Sequence, residues 1–306
     1  MSKKFTLIIP TKNRLSELKY SLEKLSYLLN LEQVHVIICV DGSTDGTVEF
    51  LSEFYPSIEL IVNENSRGIH YTRNMLMNNV KTPYIISIDD DAHFLTENIL
   101  DLVENYFLEN KTVGLLSFRA YWNKEEPKNV LSDDKPIRVK GFGAVGFAMQ
   151  TQAWKSIPNF PEWFVFYGEE DFAAFHLFKS GWEIHYFPAV LVHHRVNLKA
   201  RKREIDYRLR LRRSLRSGWY LYFLFYPWAL IPRKLAYTLW IQIKLKVLKG
   251  DWRAGIAILQ AIGDLFFNIH NLIKNRTPLS KVEFFKFQSL TREKLFWNDN
   301  TINKTN

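Results

Sequence analysis

TPYIISIDDDAHF, residues 82–94, decides the fold and poses its central problem. A mostly apolar, β-branched run from Tyr84 to Ile88 drives straight into Asp89, Asp90 and Asp91. A surface turn needs one carboxylate or two. Three in succession repel one another, and at the end of a buried strand they oppose folding unless cations lie against them. The segment is therefore read as a core strand whose carboxyl end opens on a cation-binding place.

The same alternation of strand and helix extends to both sides. FTLIIP (5–10) is a central strand closed by Pro10, and Leu15, Leu18, Leu22, Leu25, Leu28 and Leu29 recur at helical spacing, predicting a helix over 14–29. VHVIICV (34–40) is a second strand, followed by the turn cluster DGSTDGT and a helix from about Thr47. IELIV (58–62) is a third strand, and 68–79 read as a helix. Strands separated by single helices give a mostly parallel sheet with helices on both faces, and such sheets bind ligands beyond the carboxyl ends of their strands. PTKNR, DGSTDGT and DDD all fall at such ends. Further on come a strand at 113–118 and a polar stretch at 121–136, expected to be a mobile loop. The Gly-rich GFGAVGFAMQ (141–150) reads as a strand approached closely by ligand or backbone. FYGEEDFAAFHLFKSGW (166–182) reads as a turn at Gly168, a helix with Glu169–Asp171 on its first turn, and a stop at Gly181. EIHYFPAVLVHHR adds one or two short strands.

The 306 residues suit one large α/β domain with an appendage, and 47% apolar content is ample for its core. The lone cysteine, Cys39, excludes an internal disulfide and points to a reducing compartment. MSKKFTLIIPTKNR lacks the apolar core of a signal peptide, so a cytoplasmic protein is expected. The net charge of +9 is uneven: residues 195–250 hold 15 Lys and Arg against Glu204 and Asp206, a net of +13, leaving −4 for the rest. Inside that basic segment WYLYFLFYPWALI (219–231) is uncharged over 13 residues, short of the roughly 20 that span a bilayer. Basic and aromatic sequence side by side is the composition of a helix lying in a membrane interface, with 254–273 as a second amphipathic piece. Packing on the catalytic body and binding of nucleic acid are the competing readings of that tail.

Asp89 and Asp91 alternate along an extended chain, and hard oxygen donors of this type suit Mg²⁺ or Mn²⁺ shared with substrate phosphates. Asp41, at the end of its strand, either accepts from a base or ribose or, with Ser43, caps the next helix. Lys12 and Arg14 beside exposed backbone N–H groups suit a phosphorylated ligand, while Thr11 or Asn13 can serve as an N-cap. Arg67 and Arg73 are candidate diphosphate contacts that, each taken alone, read first as surface or helix-face charges.

LIIPTKNRLSELKYSLEKL, VDGSTDGT, GIHYTRNMLMNNVKTPYIISIDDD and FYGEEDFAAFHLFKSGW together resemble four consecutive blocks of the family 2 glycosyltransferases, over about residues 4–195. The resemblance implies a GT-A fold, a Rossmann-like α/β domain, over 1–195. Its nucleotide-sugar half would be about 1–118 and its acceptor half about 119–195, with 196–306 a basic, aromatic helical extension at a membrane. It implies an inverting transfer from a nucleotide-diphosphate sugar to a glycan or lipid-diphosphate-linked acceptor, with Mn²⁺ or Mg²⁺, on the cytoplasmic face of the cell membrane. Pro10, Thr11, Arg14, Asp41, Arg67, Arg73, Asp89 and Asp90 then bind the nucleotide sugar, and Asp89, Asp91 and His194 the metal. Glu170 becomes the catalytic base, with Asp171 in reserve. Two departures stand out: Glu170 replaces the Asp usual in the family, and His176 stands where many relatives carry Arg. The rivals are a nucleotidyltransferase, which needs a Gly-rich loop that PTKNRLSEL lacks, and a catalytically silent glycan-binding scaffold.

Overall fold

The computed structural model describes residues 3–196, 206–292 and 294, so part of the basic run and the end of the extension lie outside the described residues. Strands β1 (Phe5–Thr11), β2 (Val34–Asp41), β3 (Glu59–Asn63) and β4 (Tyr84–Ile88) lie parallel, in the order β3-β2-β1-β4. The sheet continues through β8 (Gly146–Gln150), antiparallel to both neighbours, then β6 (Val113–Trp122) and β9 (Glu183–His194), and ends on β5 (Ala92–Phe94). Strand β7 (Ile137–Val139) pairs with β9 off this path.

The two-residue period of a strand divides the core between two faces. Leu7 and Ile9 of β1 pack with α1 (Leu15–Lys24), α2 (Ser26–Leu29), α3 (Thr47–Phe54) and α5 (Ile99–Glu109). Ile8 turns the other way, toward α4 (Ile69–Asn78), α6 (Thr151–Lys155) and α7 (Glu169–Lys179). This is the mostly parallel α/β sheet, covered on both faces, that the sequence leads one to expect.

Several boundaries differ from expectation. The helix expected over 14–29 is broken at Leu25 into α1 and α2. Strand β6 runs to Trp122, into the expected loop, and the Gly-rich strand begins only at Gly146, where a Cβ would come within 2.7 Å of Val192. Strand β9 is one 12-residue element whose pairing with β6 slips between Phe118 and Arg119, a bulge that accommodates Pro188. Strand β5 was not legible, because three residues carry too little periodicity to read.

The extension departs most. The aromatic stretch expected in a membrane interface largely belongs to α8 (Tyr207–Phe225), and Trp219, Tyr220, Leu224 and Phe225 are buried. Tyr220, Leu224 and Phe225 cover Phe164, in the turn before α7, and Phe172 and Phe175 on the outer face of α7, where the Phe175 and Phe225 rings stack with centroids 4.5 Å apart. Burying an aromatic of this size is worth about 1.5–3 kcal/mol, which α7 could not gain facing water. The other side of α8 packs Leu211, Leu215 and Trp219 on Ala254, Ala257, Ile258 and Ala261 of α10 (Trp252–Phe267). Buried Asp264 of α10 ties the seam by accepting from Arg212 and Arg216. Helices α9 (Ile231–Leu245), α11 (Ile269–Lys274) and α12 (Lys281–Ser289) complete the layer, and no described helix is long and apolar enough to cross a membrane.

Because the α7–α8 core is shared, Leu224→Ala is expected to cost about 2–5 kcal/mol and to lower the unfolding temperature of the whole chain in one calorimetric transition. Two transitions, with only one displaced, would contradict this.

Candidate active site

The rim formed by the ends of β1, β2 and β4 opens on a cleft of about 730 Å³, a size that suits a small-molecule substrate. Each of the three aspartates at the end of β4 meets a different partner. Asp89 accepts from Nη2 of Arg73 at 2.9 Å. Asp90 turns inward, where Oδ2 accepts from Thr11 at 2.8 Å and Oδ1 lies 3.1 Å from Arg14 Nη1. Asp91 Oδ2 accepts from Nη2 of Arg14, and its Oδ1 lies 3.0 Å from His194 Nε2. Burial and the adjacent carboxylates push Asp90 up to about 7 against the pull of Arg14 and Thr11. Burial also disfavours the charge of Asp91, but His194 and Arg14 outweigh it and hold that carboxyl well below its ordinary range.

Arg73 joins this knot to the first turn of α7. Its Nη1 donates to Glu169 Oε1 at 2.8 Å, and His70, one helical turn earlier on α4, brings Nε2 to 3.0 Å from Glu169 Oε2. Glu169 is buried, yet these partners keep it ionised. Glu170 also lines the cleft but is raised well above an ordinary glutamate, by burial first and then by the charge of Glu169. Two neighbouring carboxyls are thus driven apart, Glu169 as a fixed anion and Glu170 as a group able to take up a proton.

At the end of β2, Asp41 does not cap the helix that follows. It lines the cleft and accepts from Asn63 Nδ2, Ser66 Oγ and the backbone N–H groups of Arg67 and Gly68, at 2.7–3.0 Å. Those donors overcome burial and hold Asp41 below its ordinary range. Gly42 has φ +66°, and a Cβ there would meet the Ser66 nitrogen at 2.5 Å, so this close approach requires glycine. The PTKNR and DGSTDGT loops lock together: Asp45 accepts from the Leu15 N–H at 2.9 Å, and Asn13 Oδ1 from the Thr44 N–H at 2.7 Å. The cap of α1 thus comes from the neighbouring loop, not from Thr11 or Asn13.

The cleft brings together Pro10, Thr11, Arg14, Asp41, Arg73, Asp89, Asp90, Asp91, Glu170 and His194. Arg67 and Asp171 are not among its lining residues. The Arg67 guanidinium lies over the Tyr71 ring at 4.1 Å, and its contribution is the backbone N–H on Asp41. Asp171 is exposed on the far side of the first turn of α7. Arg73, which alone reads as a surface charge, is buried and committed to two carboxylates. His176 is buried against Phe172 and Phe225, and burial lowers it to about 4, so it adds no cation.

Asp89, Asp91 and His194 present ligand atoms all within 4.8 Å of one another. Two carboxylates and an imidazole form a donor set that fits Mn²⁺, and Mg²⁺ less well because of the nitrogen. His193, the preceding residue, points to the opposite face of β9. There it sits with His93, its partner across the β5–β9 pair, and with Glu126. Arg195 donates to His93 Nδ1 at 2.9 Å, which leaves the proton on the Nε2 that faces Glu126. That second group is a buried histidine pair with exposed Glu126 at its edge, and His93 has no free lone pair for a metal. Sequence reasoning also missed His70, Trp122, whose ring lies 4.4 Å from that of His194, and Arg213 and Lys294, which reach the cleft from the extension. Only His70 left a signal, its three-residue spacing from Arg73 on one helix.

Residues 6–174 match the model of the family described as glycosyl transferase family 2. A processive diacylglycerol beta-glycosyltransferase of Mycoplasma genitalium is 32% identical over 98 residues, 30% of this chain and 29% of that protein. The chain thus matches under a third of the length of this curated relative. Among solved structures, a mannosyltransferase of Pyrobaculum calidifontis in complex with GDP-Man and Mn²⁺ has a TM-score of 0.53 at 16% identity, covering 94% of this chain and 84% of that one. TarS of S. aureus, residues 1–349 with UDP-GlcNAc, has a TM-score of 0.51 at 18% identity, covering 71% and 66%. At these identities the likeness is one of fold.

Asp91→Asn and His194→Ala are each expected to weaken Mn²⁺ binding at least tenfold by titration calorimetry, with Asp45→Asn unchanged. Asp91→Asn also lowers the unfolding temperature at pH 7. Since the folded-state pKa of Asp91 is depressed, that difference persists above about pH 4, the unfolded value, and shrinks as pH falls further.

Proposed function

The chain belongs to glycosyl transferase family 2, and from its cleft we propose that it moves a sugar from a nucleotide-diphosphate sugar to a hydroxyl of a glycan or lipid-diphosphate-linked acceptor, with inversion. The observation that carries this is the single cleft in which Arg73 links the Asp89–Asp91–His194 donor set to the acidic turn of α7. The Mn²⁺ and nucleotide sugars in the solved relatives support the same donor chemistry here. Asp89, Asp91 and His194 would hold the metal, which when bound supplies positive charge to the diphosphate.

The protein's own groups do the rest. Pro10, Thr11 and Arg14 line the nucleotide side, and the loop capped by Asp41 shapes its wall. Glu170 accepts the proton of the acceptor hydroxyl as that oxygen attacks the anomeric carbon, and the nucleotide diphosphate departs from the opposite face. Glu169 stays ionised between Arg73 and His70, so the proton goes to Glu170. Residues 1–195 form the catalytic unit, with donor half 1–118 and acceptor half 119–195, and 196–306 the extension.

The extension attaches the enzyme to the anionic cytoplasmic face of the membrane. Trp240 of α9, Phe266 and Phe267 of α10 and Ile273 of α11 are exposed, with Arg233, Lys244 and Lys274 on the same helices. This composition suits an interface, and it lies on other helices than the aromatic stretch first singled out.

In thermal unfolding with UDP, dTDP, GDP or CDP, one nucleotide with Mn²⁺ at 100-fold its Kd should add about 2.7 kcal/mol. Glu170→Gln should keep that stabilisation while losing about 10²–10⁴ of the rate. The wild-type rate should fall on the acid side at a pH above that of an ordinary glutamate, because Glu170 protonates early. Failure of every nucleotide would favour a silent scaffold. Trp240→Ser with Phe267→Ser in the full chain should reduce sedimentation with anionic liposomes severalfold while leaving nucleotide binding intact, and unchanged sedimentation would refute the membrane attachment.

A further inference from the structure

One cation of the cleft has no part in that reaction. Arg213 of α8 lines the cleft beside Phe166, Tyr167 and Glu170, although it belongs to the extension. Its neighbours along the helix are committed: Arg212 and Arg216 to Asp264, and Arg210 to Asp206. The cleft's other cations are also largely engaged, Arg14 with Asp90 and Asp91, Arg73 with Asp89 and Glu169, and Lys294 with Asp134. Lys12 is exposed at the opposite rim. Arg213 is partly buried and, among the described residues, has no hydrogen bond or ion pair. Burial, then Arg216, disfavours its charge.

Its mounting is rigid. Val165, Tyr167 and Gly168 all have positive φ, 69°, 68° and 86°, a conformation that costs non-glycine residues energy and persists only when its surroundings impose it. Helix α8 imposes it: Arg216 Nη2 donates to the Phe164 carbonyl at 2.6 Å, and Ser217 Oγ to that of Phe166 at 3.2 Å. A Cβ on Gly168 would stand 3.1 Å from Ser217 Cβ. The helix that carries Arg213 therefore grips the turn that opens α7 and places Glu170.

We propose that Arg213 is a substrate-binding residue that takes a phosphate group on the α7 side of the cleft. The inference rests on the glycosyl-transfer reading above. A guanidinium matches phosphate oxygens two at a time, and an anion there compensates the desolvation that a lone arginine carries. Two sources offer that chemistry, the diphosphate of the donor and the phosphate of a lipid-linked acceptor.

The test uses the full chain as wild type, Arg213→Gln, Arg213→Lys and the surface control Arg253→Gln. Calorimetry with Mn²⁺ and inorganic pyrophosphate reads the donor source, and with farnesyl phosphate below its micellar concentration the acceptor source. Arg213→Gln is expected to weaken one probe at least tenfold, Arg213→Lys by less, and Arg253→Gln not at all, at an unchanged unfolding temperature. Loss in the pyrophosphate arm assigns the donor, and loss in the farnesyl phosphate arm the acceptor. Wild-type binding that Arg213→Gln leaves intact in both arms overturns the role of Arg213 alone. A wild type that binds neither probe overturns the glycosyl-transfer reading together with it.

Discussion

Three adjacent carboxylates at the buried end of β4 are the constraint around which the rest is arranged. They cannot share one partner, and they do not. Alternation along the backbone sends Asp90 inward to Thr11 and Arg14, while Asp91 divides its oxygens between Arg14 and His194. Asp89 turns to Arg73. The partners come from α4, from the start of α1 and from the end of β9, so satisfying one tripeptide pins three distant segments to the same rim. The cations the sequence calls for are thus partly the protein's own, and the metal donor set is built among them.

Arg73 carries that constraint into the chemistry. A buried guanidinium has more N–H donors than one carboxylate oxygen can accept, and Arg73 finds a second acceptor in Glu169. With Glu169 fixed as an anion, its half-buried neighbour Glu170 is left beside a negative charge, where a proton is welcome. The electrostatics of the acidic turn are therefore set from the far side of the cleft. His70 completes the arrangement from the same helix as Arg73.

The extension is less an appendage than a wall. Helix α8 buries the aromatic face of α7 and braces the strained turn before it. This is why the aromatic stretch near 219 misled: an apolar run beside basic residues has the same composition whether it faces lipid or a phenylalanine-lined helix. Its 3.6-residue period says that one face is buried but not against what. The surface that remains apolar lies on α9, α10 and α11, where the sequence signal was weaker.

By itself the sequence determined the sheet and its rim. Tyr84–Ile88, Phe5–Thr11 and Val34–Asp41 are strands because β-branched residues pack on a two-sided sheet, and the turn chemistry after each fixes where ligands approach. Local pattern was enough, since these properties depend on neighbours in the chain. Tertiary structure alone decided which charges are spent and which remain. Arg67, Arg73 and Arg213 are indistinguishable as letters, yet one covers a tyrosine ring, one is locked between two carboxylates and one lines the cleft with no ion pair among the described residues. The reason is physical: a side chain's charge acts through what folding places within a few ångströms of it, and those partners lie 16 to 96 positions away for Arg73 alone.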